Sequence, residues 1–332
     1  MVFEKIGQPG RTLIVGIGSA LVDFLVHAEE AFIEQAPGAV KGGMTLVDST
    51  SIDKTVALAA KKPQVVPGGS ACNTVIGVGN LGGRGRFVGK RGTDELGDLF
   101  ETGLKSNGAE PFLLQAPTPT GRVLSIITPD AQRTMLTFLG AAAEILPEEV
   151  RKGCFQEAAV VHVEGYLLYN PDLLLAVFEE ARRAGACISF DLASFTVVED
   201  SVDILEDLVD RYVDILIANE DEARVFTGHT DEARAIEALS KRAALAVLKL
   251  GPGGSRVAFE GRIVGVEPMG DGRAIDTTGA GDLWAAGFLY GLVNGFSLEE
   301  SGRLGSACGY EVCQVVGAGI PSPGWDRIRA LL

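Results

Sequence analysis

The chain has 332 residues, 46% hydrophobic and 22% charged, enough apolar material for a sizeable core and the right length for one large α/β unit with an appendage. Its 44 acidic residues outnumber 29 Lys and Arg, and the resulting formal charge of −15 argues against a nucleic-acid backbone or an anionic membrane surface as partner. Apolar runs do not reach membrane-spanning length, and the first residues lack a basic region followed by an apolar stretch and cleavage site. Cys72, Cys154, Cys187, Cys308 and Cys313 form no CxxC pair and read as reduced, mostly buried thiols of a cytoplasmic protein. His27, His162 and His229 lie far apart without metal-ligand spacing and read as structural or surface residues.

Residues 12–18 (Thr-Leu-Ile-Val-Gly-Ile-Gly) predict a strand buried on both faces. Gly16 and Gly18 hint at a dinucleotide fingerprint, but its third glycine would fall on Leu21, and no helix clearly follows. Asp23 is expected just past this strand, where open α/β sheets bind ligands. Residues 24–48 look irregular. A Pro-Gly-Gly-Ser segment at 67–70 then leads into a small, apolar helix over 71–79, with Asn73 in its first turns. A short strand at 86–88 and an amphipathic helix over 95–105 follow. Three β-like runs at 111–115, 121–128 and 134–139, punctuated by Pro119, Pro129 and Asp130, are expected to form a small antiparallel appendage with residues 20–48.

Beyond residue 144 strands (160–163, 187–191, 215–218, 246–250) alternate with helices (172–184, 202–211, 221–226, 231–242). That alternation implies a mostly parallel sheet covered on both faces. A hairpin over 256–266 turns at Glu260 and Gly261, and helices are expected at 283–293, 298–316 and near Trp325. Neither an internal repeat nor a low-complexity linker is visible.

Four polar features fall at strand ends or helix starts. They are Asp23, the segment from Gly68 and Gly69 to Asn73, Asn219 with Glu222, and the stretch 276–282 (Asp-Thr-Thr-Gly-Ala-Gly-Asp). In that stretch Thr277, Gly279, Ala280 and Gly281 precede a buried helix, whose unpaired N–H groups and positive dipole end suit a phosphate or developing oxyanion. Asp282, beside that site, has the makings of a general base for a hydroxyl attacking a phosphoryl group; the alternative is a capped helix with a first-turn charge. Asn219 and Glu222 read either as a capping box or as groups orienting water around a Mg²⁺ held by substrate phosphates. The run 249–254 (Lys-Leu-Gly-Pro-Gly-Gly) reads as a tight turn or as backbone approaching a nucleotide.

Together, the segment 276–282, the segment 68–73 (Gly-Gly-Ser-Ala-Cys-Asn) and the Asn219/Glu222 pair resemble the signatures of the PfkB (ribokinase-like) family of carbohydrate and nucleoside kinases. Order and spacing match over nearly the whole chain. The resemblance implies a single ribokinase-like domain over 1–332, a three-layer α/β/α fold, and a β-strand lid from about 20–48 and 110–140. It implies ATP and Mg²⁺, with a monovalent cation such as K⁺ as a further candidate, and a monomer or a homodimer through the lid. By position, Asp282 would be the base and the N–H groups of Gly279, Ala280 and Gly281 the anion hole. Asn219 and Glu222 would act on the Mg²⁺–phosphate assembly. Asp23, Gly68, Gly69 and Asn73 would hold acceptor hydroxyls. Gly251, Gly254 and Ala307 would line the ATP cleft.

The segment 16–23, Arg133 with Thr134 and Met135, and the run 164–167 are most similar to the adenosine-kinase-like branch. Arg133 would then reach a phosphate, unless it is a lid-surface charge. Ser19 stands where that branch often has Asn, and Glu164 adds a carboxylate near the acceptor pocket. The implied activity is an ATP-dependent kinase for the primary hydroxyl of a nucleoside, adenosine first, or of a sugar such as ribose, fructose or a keto-deoxy sugar acid. The rivals are a catalytically silent nucleoside or sugar sensor and a Rossmann oxidoreductase, which fails at Leu21.

Overall fold

In the computed structural model, which describes residues 2–6, 10–36, 38–151 and 153–332, strands and helices sort into two sheets. The chain starts with α1 (Val2–Ile6) and β1 (Leu13–Ile17), all five β1 residues being buried. β2 (Leu21–His27), α2 (Glu30–Ile33) and β3 (Met44–Leu46) follow, where residues 24–48 were expected to be irregular, and then α3 (Ser49–Leu58) and β4 (Gln64–Gly68). Next come α4 (Ser70–Asn80), β5 (Gly85–Gly92), α5 (Glu95–Ser106), β6 (Ala109–Ala116), β7 (Gly121–Ile127) and β8 (Arg133–Phe138). The side chain of Asp94 caps α5 by accepting from Gly97 N–H.

The expected alternation then runs through α6 (Pro147–Val150), β9 (Ala158–Glu164), α7 (Pro171–Arg183), β10 (Cys187–Asp191) and α8 (Phe195–Tyr212). It continues with β11 (Ile215–Asn219), α9 (Glu220–Thr227), α10 (Glu232–Ser240) and β12 (Leu245–Lys249). The hairpin β13 (Ser255–Phe259) and β14 (Arg262–Val266) turns at Glu260 and Gly261, both at positive φ, as its strand twist requires. α11 (Ala280–Val293), α12 (Leu298–Val312) and α13 (Ser322–Arg329) close the chain.

The large sheet has the order β14-β13-β12-β11-β10-β9-β1-β5-β6, parallel from β12 to β6 with the hairpin antiparallel at one edge. On one face Val161, Ile188 and Leu216 meet Leu174, Val177, Leu205 and Val209 of α7 and α8. On the other, Val160, Ile217 and Val247 meet Trp284, Phe288 and Leu292 of α11. This is the three-layer α/β/α architecture, with α11 apolar all round because α12 covers its far side.

The small sheet has the order β3-β8-β7-β2-β4. Two expectations are corrected here. First, Asp23, expected just past β1, stands inside a second strand, β2, whose pattern an acidic residue in mid-strand had obscured. Second, β6 does not join the appendage: it pairs in parallel with β5 through the α5 crossover and forms the edge of the large sheet. In the small sheet, side chains alternate between faces. Leu124, Ile126 and Leu136 bury against Ile33 and Ile52 of the covering helices, while Asp23, Val123, Ser125, Arg133 and Met135 face a cavity of about 920 Å³ between the two sheets. Among the described residues no helix is long and apolar enough to cross a membrane.

Candidate active site

The cavity lies at the carboxyl ends of β9, β10, β11 and β12, and the N-termini of α4 and α11 converge on it. Gly279 caps α11 with φ 74°, a conformation that favours glycine, and no side chain caps the helix. The turn before it is braced by Asp276, which is buried: Oδ1 accepts from Thr278 N–H (2.9 Å) and Thr278 Oγ1 (2.7 Å), and Oδ2 accepts from Gly317 N–H (2.7 Å). Ala280 N–H, expected in the anion hole, instead donates to Thr277 O at 3.2 Å, while Gly279, Gly281 and Asp282 line the cavity at the positive end of a buried helix, a site suited to an anion. Thr277 Oγ1 reaches across to donate to Ala131 O (3.3 Å) in the β7–β8 turn, so the small sheet touches this loop.

Asp282 is half-buried, and its two oxygens are both engaged by α4. Ser70 Oγ donates to Oδ1 at 2.7 Å and Asn73 Nδ2 to Oδ2 at 2.8 Å. Loss of hydration raises its pKa, and these two donors pull it back without reversing the shift. The outcome is an oriented carboxylate with a heightened appetite for a proton, next to an anion site.

Asp23 lies on the cavity face of β2, only 7% exposed, and burial pushes its pKa up to about 7 against the opposing charge of Arg133. Gly68 makes that placement possible: a Cβ there would stand 2.3–2.4 Å from the Asp23 carboxyl atoms. Gly68 itself is behind Asp23 rather than on the cavity wall, whereas Gly69 and Asn73 line the cavity. Arg133 also lines it, and its Nε is buried without a hydrogen-bond partner, so it is a cation aimed into the site rather than a surface charge. Glu164, 1% exposed and at about pKa 7 through burial, turns its carboxylate to backbone: Oε1 accepts from Ser19 N–H (2.8 Å) and Oε2 from Ala71 N–H (3.0 Å). It thus fastens the start of α4 to the turn after β1.

Asn219 and Glu222 form the capping box that their spacing allows. Asn219 Oδ1 accepts from Glu222 N–H at 2.9 Å, and the Glu222 oxygens accept from Asn219 N–H and Nδ2 at 2.8 and 2.7 Å. Both residues nevertheless line the cavity, and burial, then Asp191, raise the Glu222 carboxyl to about 7. Gly251 and Gly254 occupy a tight turn that is also cavity wall. Ala307 is a correction: it packs in the core with Leu283 and Leu304, while Ser306, Gly309, Tyr310 and Cys313 line the cavity, because that face of α12 runs at spacings of three and four. Sequence reasoning passed over Lys249 and Asp191, which also face the site; each ends a strand at the same sheet edge, and that position was the available signal. His162, read as structural, is buried against Ser189 Oγ, with its pKa lowered to about 4 by burial. All five cysteines are free, and Cys313 alone of them is not fully buried.

Among the described residues no cluster of three His, Cys, Asp or Glu could cage a metal ion. Glu222, whose oxygens Asn219 already engages, fits instead a hard cation held chiefly by phosphate oxygens and reached through water.

The family model for pfkB family carbohydrate kinases matches residues 40–325. The solved adenosine kinase from Sinorhizobium meliloti is 32% identical with a TM-score of 0.90, covering 97% of this chain and 100% of that one. A probable sugar kinase from Rhizobium etli CFN 42 is 29% identical with a TM-score of 0.91, covering 97% of this chain and 99% of that one. Probable fructokinase-4 of Arabidopsis thaliana is 27% identical over 97% of each chain.

Proposed function

Since the chain belongs to the pfkB family of carbohydrate kinases and is a phosphotransferase, we propose that it passes the γ-phosphoryl group of ATP to the primary hydroxyl of a nucleoside, adenosine first. Asp282 takes the hydroxyl proton as the O–P bond forms. The N–H groups of Gly279 and Gly281 hold the charge on the transferring group, so catalysis is mostly positioning and electrostatics. The observation that carries the general-base role is the pair of donors, Ser70 and Asn73, that fix both oxygens of Asp282 beside that helix end. Mg²⁺ would neutralise phosphate charge, with Glu222 and Asn219 arranged to reach it through water. Asp23 and Asn73 would accept and donate to ribose hydroxyls, and Arg133 would meet a phosphate oxygen. The small sheet would act as the lid that keeps water out.

The acceptor argument rests on the wall chemistry. Leu21, Met44, Leu46, Val123 and Met135 line the small-sheet side of the cavity and Tyr166 the opposite side. Apolar side chains across from an aromatic ring suit a planar base, and Asp23, Ser125 and Thr137 on the same sheet supply polar groups for ribose hydroxyls. Likeness to both an adenosine kinase and a fructokinase leaves the sugar reading as the competitor. The test is ADP release with Mg·ATP and a panel of adenosine, other nucleosides, ribose, fructose and 2-keto-3-deoxygluconate. Adenosine turnover with kcat/KM at least tenfold above every sugar is expected; a sugar turning over while adenosine is inert would overturn the nucleoside assignment. Ligand-induced thermal stabilisation without ATP consumption would favour the sensor.

A further inference from the structure

Lys249 ends β12 with its side chain on the face covered by α11, since the strand alternates Leu245, Val247 and then Lys249 towards that side. Its Nζ donates to Asp191 Oδ2 at 2.8 Å, with Asp191 only 5% exposed. Asp191 is itself fixed, because its other oxygen accepts from Ala193 N–H at 3.0 Å in a turn where Ala193 takes φ 63°. At residue 281 a Cβ would stand 3.0 Å from Nζ, so the glycine lets the ammonium lie directly against the anion loop. An ammonium has three donors, and one is used by Asp191, leaving the others beside Gly281.

Charge explains why a cation belongs there. Eight carboxylates, from Asp23, Asp130, Glu164, Asp191, Glu220, Asp221, Glu222 and Asp282, line the cavity against three cations, Arg133, Lys249 and the exposed Arg273, which Asp271 already pairs. Such a site would repel a nucleotide triphosphate unless positive charge were aimed at the place where the phosphates sit. Burial pulls the Lys249 pKa down, but Asp191, Glu222 and Asp282 outweigh it and raise the value, so the side chain stays protonated through the reaction.

We propose that Lys249 is a catalytic residue that donates to an oxygen of the transferring phosphoryl group, with Asp191 as its positioning residue. In the step the acceptor oxygen bonds to the γ-phosphorus and the bond to the β–γ bridging oxygen breaks, its electron pair staying on ADP. The acceptor proton passes to Asp282. Lys249 keeps its proton and offsets charge on the phosphoryl oxygens, adding a side-chain donor to the backbone donors of the loop. The inference rests on the ATP-dependent transfer argued above, not on the identity of the acceptor.

The rival is a buried ion pair that only stabilises the fold, and removing both partners separates the two. Lys249→Met alone is expected to lower kcat by about 10²–10³-fold, the scale of one lost oxyanion donor, and to lower the melting temperature by stranding Asp191. Lys249→Met/Asp191→Asn is expected to regain the melting temperature while kcat stays down. In parallel, the affinity of the double variant for Mg·ADP with aluminium fluoride, which needs no acceptor, is expected to fall at least about 100-fold, with affinity for Mg·ADP alone nearly unchanged. Recovery of kcat to within tenfold of wild type in the double variant, or wild-type affinity for the aluminium fluoride complex, would overturn the proposal. Failure of every acceptor in the panel would count against the acceptor assignment and leave the aluminium fluoride measurement decisive for Lys249.

Discussion

Replacing Asp282 by Asn isolates proton transfer from architecture. The carboxylate accepts from Ser70 Oγ on one oxygen and Asn73 Nδ2 on the other. A carboxamide fits the same partners in one orientation: its oxygen accepts from Asn73, and its NH₂ donates to the Ser70 hydroxyl, which rotates to accept. The structural cost is the exchange of charged for neutral hydrogen bonds, about 1 kcal/mol, so the melting point should move by no more than about 4 °C. Loss of the base should lower kcat by about 10²–10⁴-fold, which at about 1.36 kcal/mol per decade is roughly 2.7–5.4 kcal/mol of transition-state stabilisation. The KM values for ATP and acceptor should stay within about threefold, because the lost interaction operates only in the transition state. In the wild type, kcat should fall towards acid as Asp282 protonates, and the raised pKa places that limb above the usual aspartate value; the variant should lack it. The assay is steady-state ADP release at saturating Mg·ATP across pH, with a thermal melt of each protein. A folded Asp282→Asn enzyme within tenfold of wild-type kcat would refute the assignment.

Three further outcomes follow from the geometry. Gly68→Ala would place a methyl group 2.3–2.4 Å from the Asp23 carboxyl atoms and push them towards the cavity. The acceptor KM should rise about tenfold or more with the ATP KM unchanged, and an unchanged acceptor KM would remove Asp23 from acceptor binding. Asn219→Ala removes the side-chain half of the α9 capping box, leaving the backbone N–H to Glu222, and should cost about 1 kcal/mol in stability. If the pair also reaches Mg²⁺ through water, the Mg²⁺ concentration for half-maximal rate rises several-fold; a pure stability loss would leave the pair as a cap. Asp23 and Glu164 are raised by burial from 3.8 and 4.5 to about 7, so the folded state holds their protons more tightly than the unfolded one. Their stabilising contribution is full below about pH 4 and is lost as pH rises through 7. The ligand-free melting temperature should therefore climb by several degrees from pH 8 to pH 6, less so in Asp23→Asn; a flat or opposite trend would contradict the burial argument.

The C-terminal alternation was legible because each of β9 to β12 is a short apolar run that its crossover helix separates from the next. The stretch 276–282 was legible because a glycine at positive φ and a first-turn carboxylate are local features. What escaped depended on register. β2 was hidden by Asp23, a polar residue whose face is polar only because a cavity lies there. β6 resembled its successors in composition, and its true partner was set by the α5 crossover before it. Lys249 looks like a strand-ending lysine until the Asn219–Lys249 register and the α11 loop bring it beside Gly281. Glu164 lines the cavity, yet its two oxygens are turned to the Ser19 and Ala71 N–H groups, which no spacing rule could reveal.

The small sheet is threaded through the large unit, not hung from it. The chain leaves the large unit after β1, returns at α4, leaves again after β6 and returns after β8. A single protease cut at any one junction would therefore leave the sheet tethered by three others. A recombinant made by joining two homologues at one point between Gly68 and Ser70 would take β2 from one parent and β7 from the other. Their parallel pairing, from Leu21 with Gly121 to His27 with Ile127, would then have to be rebuilt from strands with separate histories. The small sheet in this architecture is inherited in two sequence blocks that must be exchanged together.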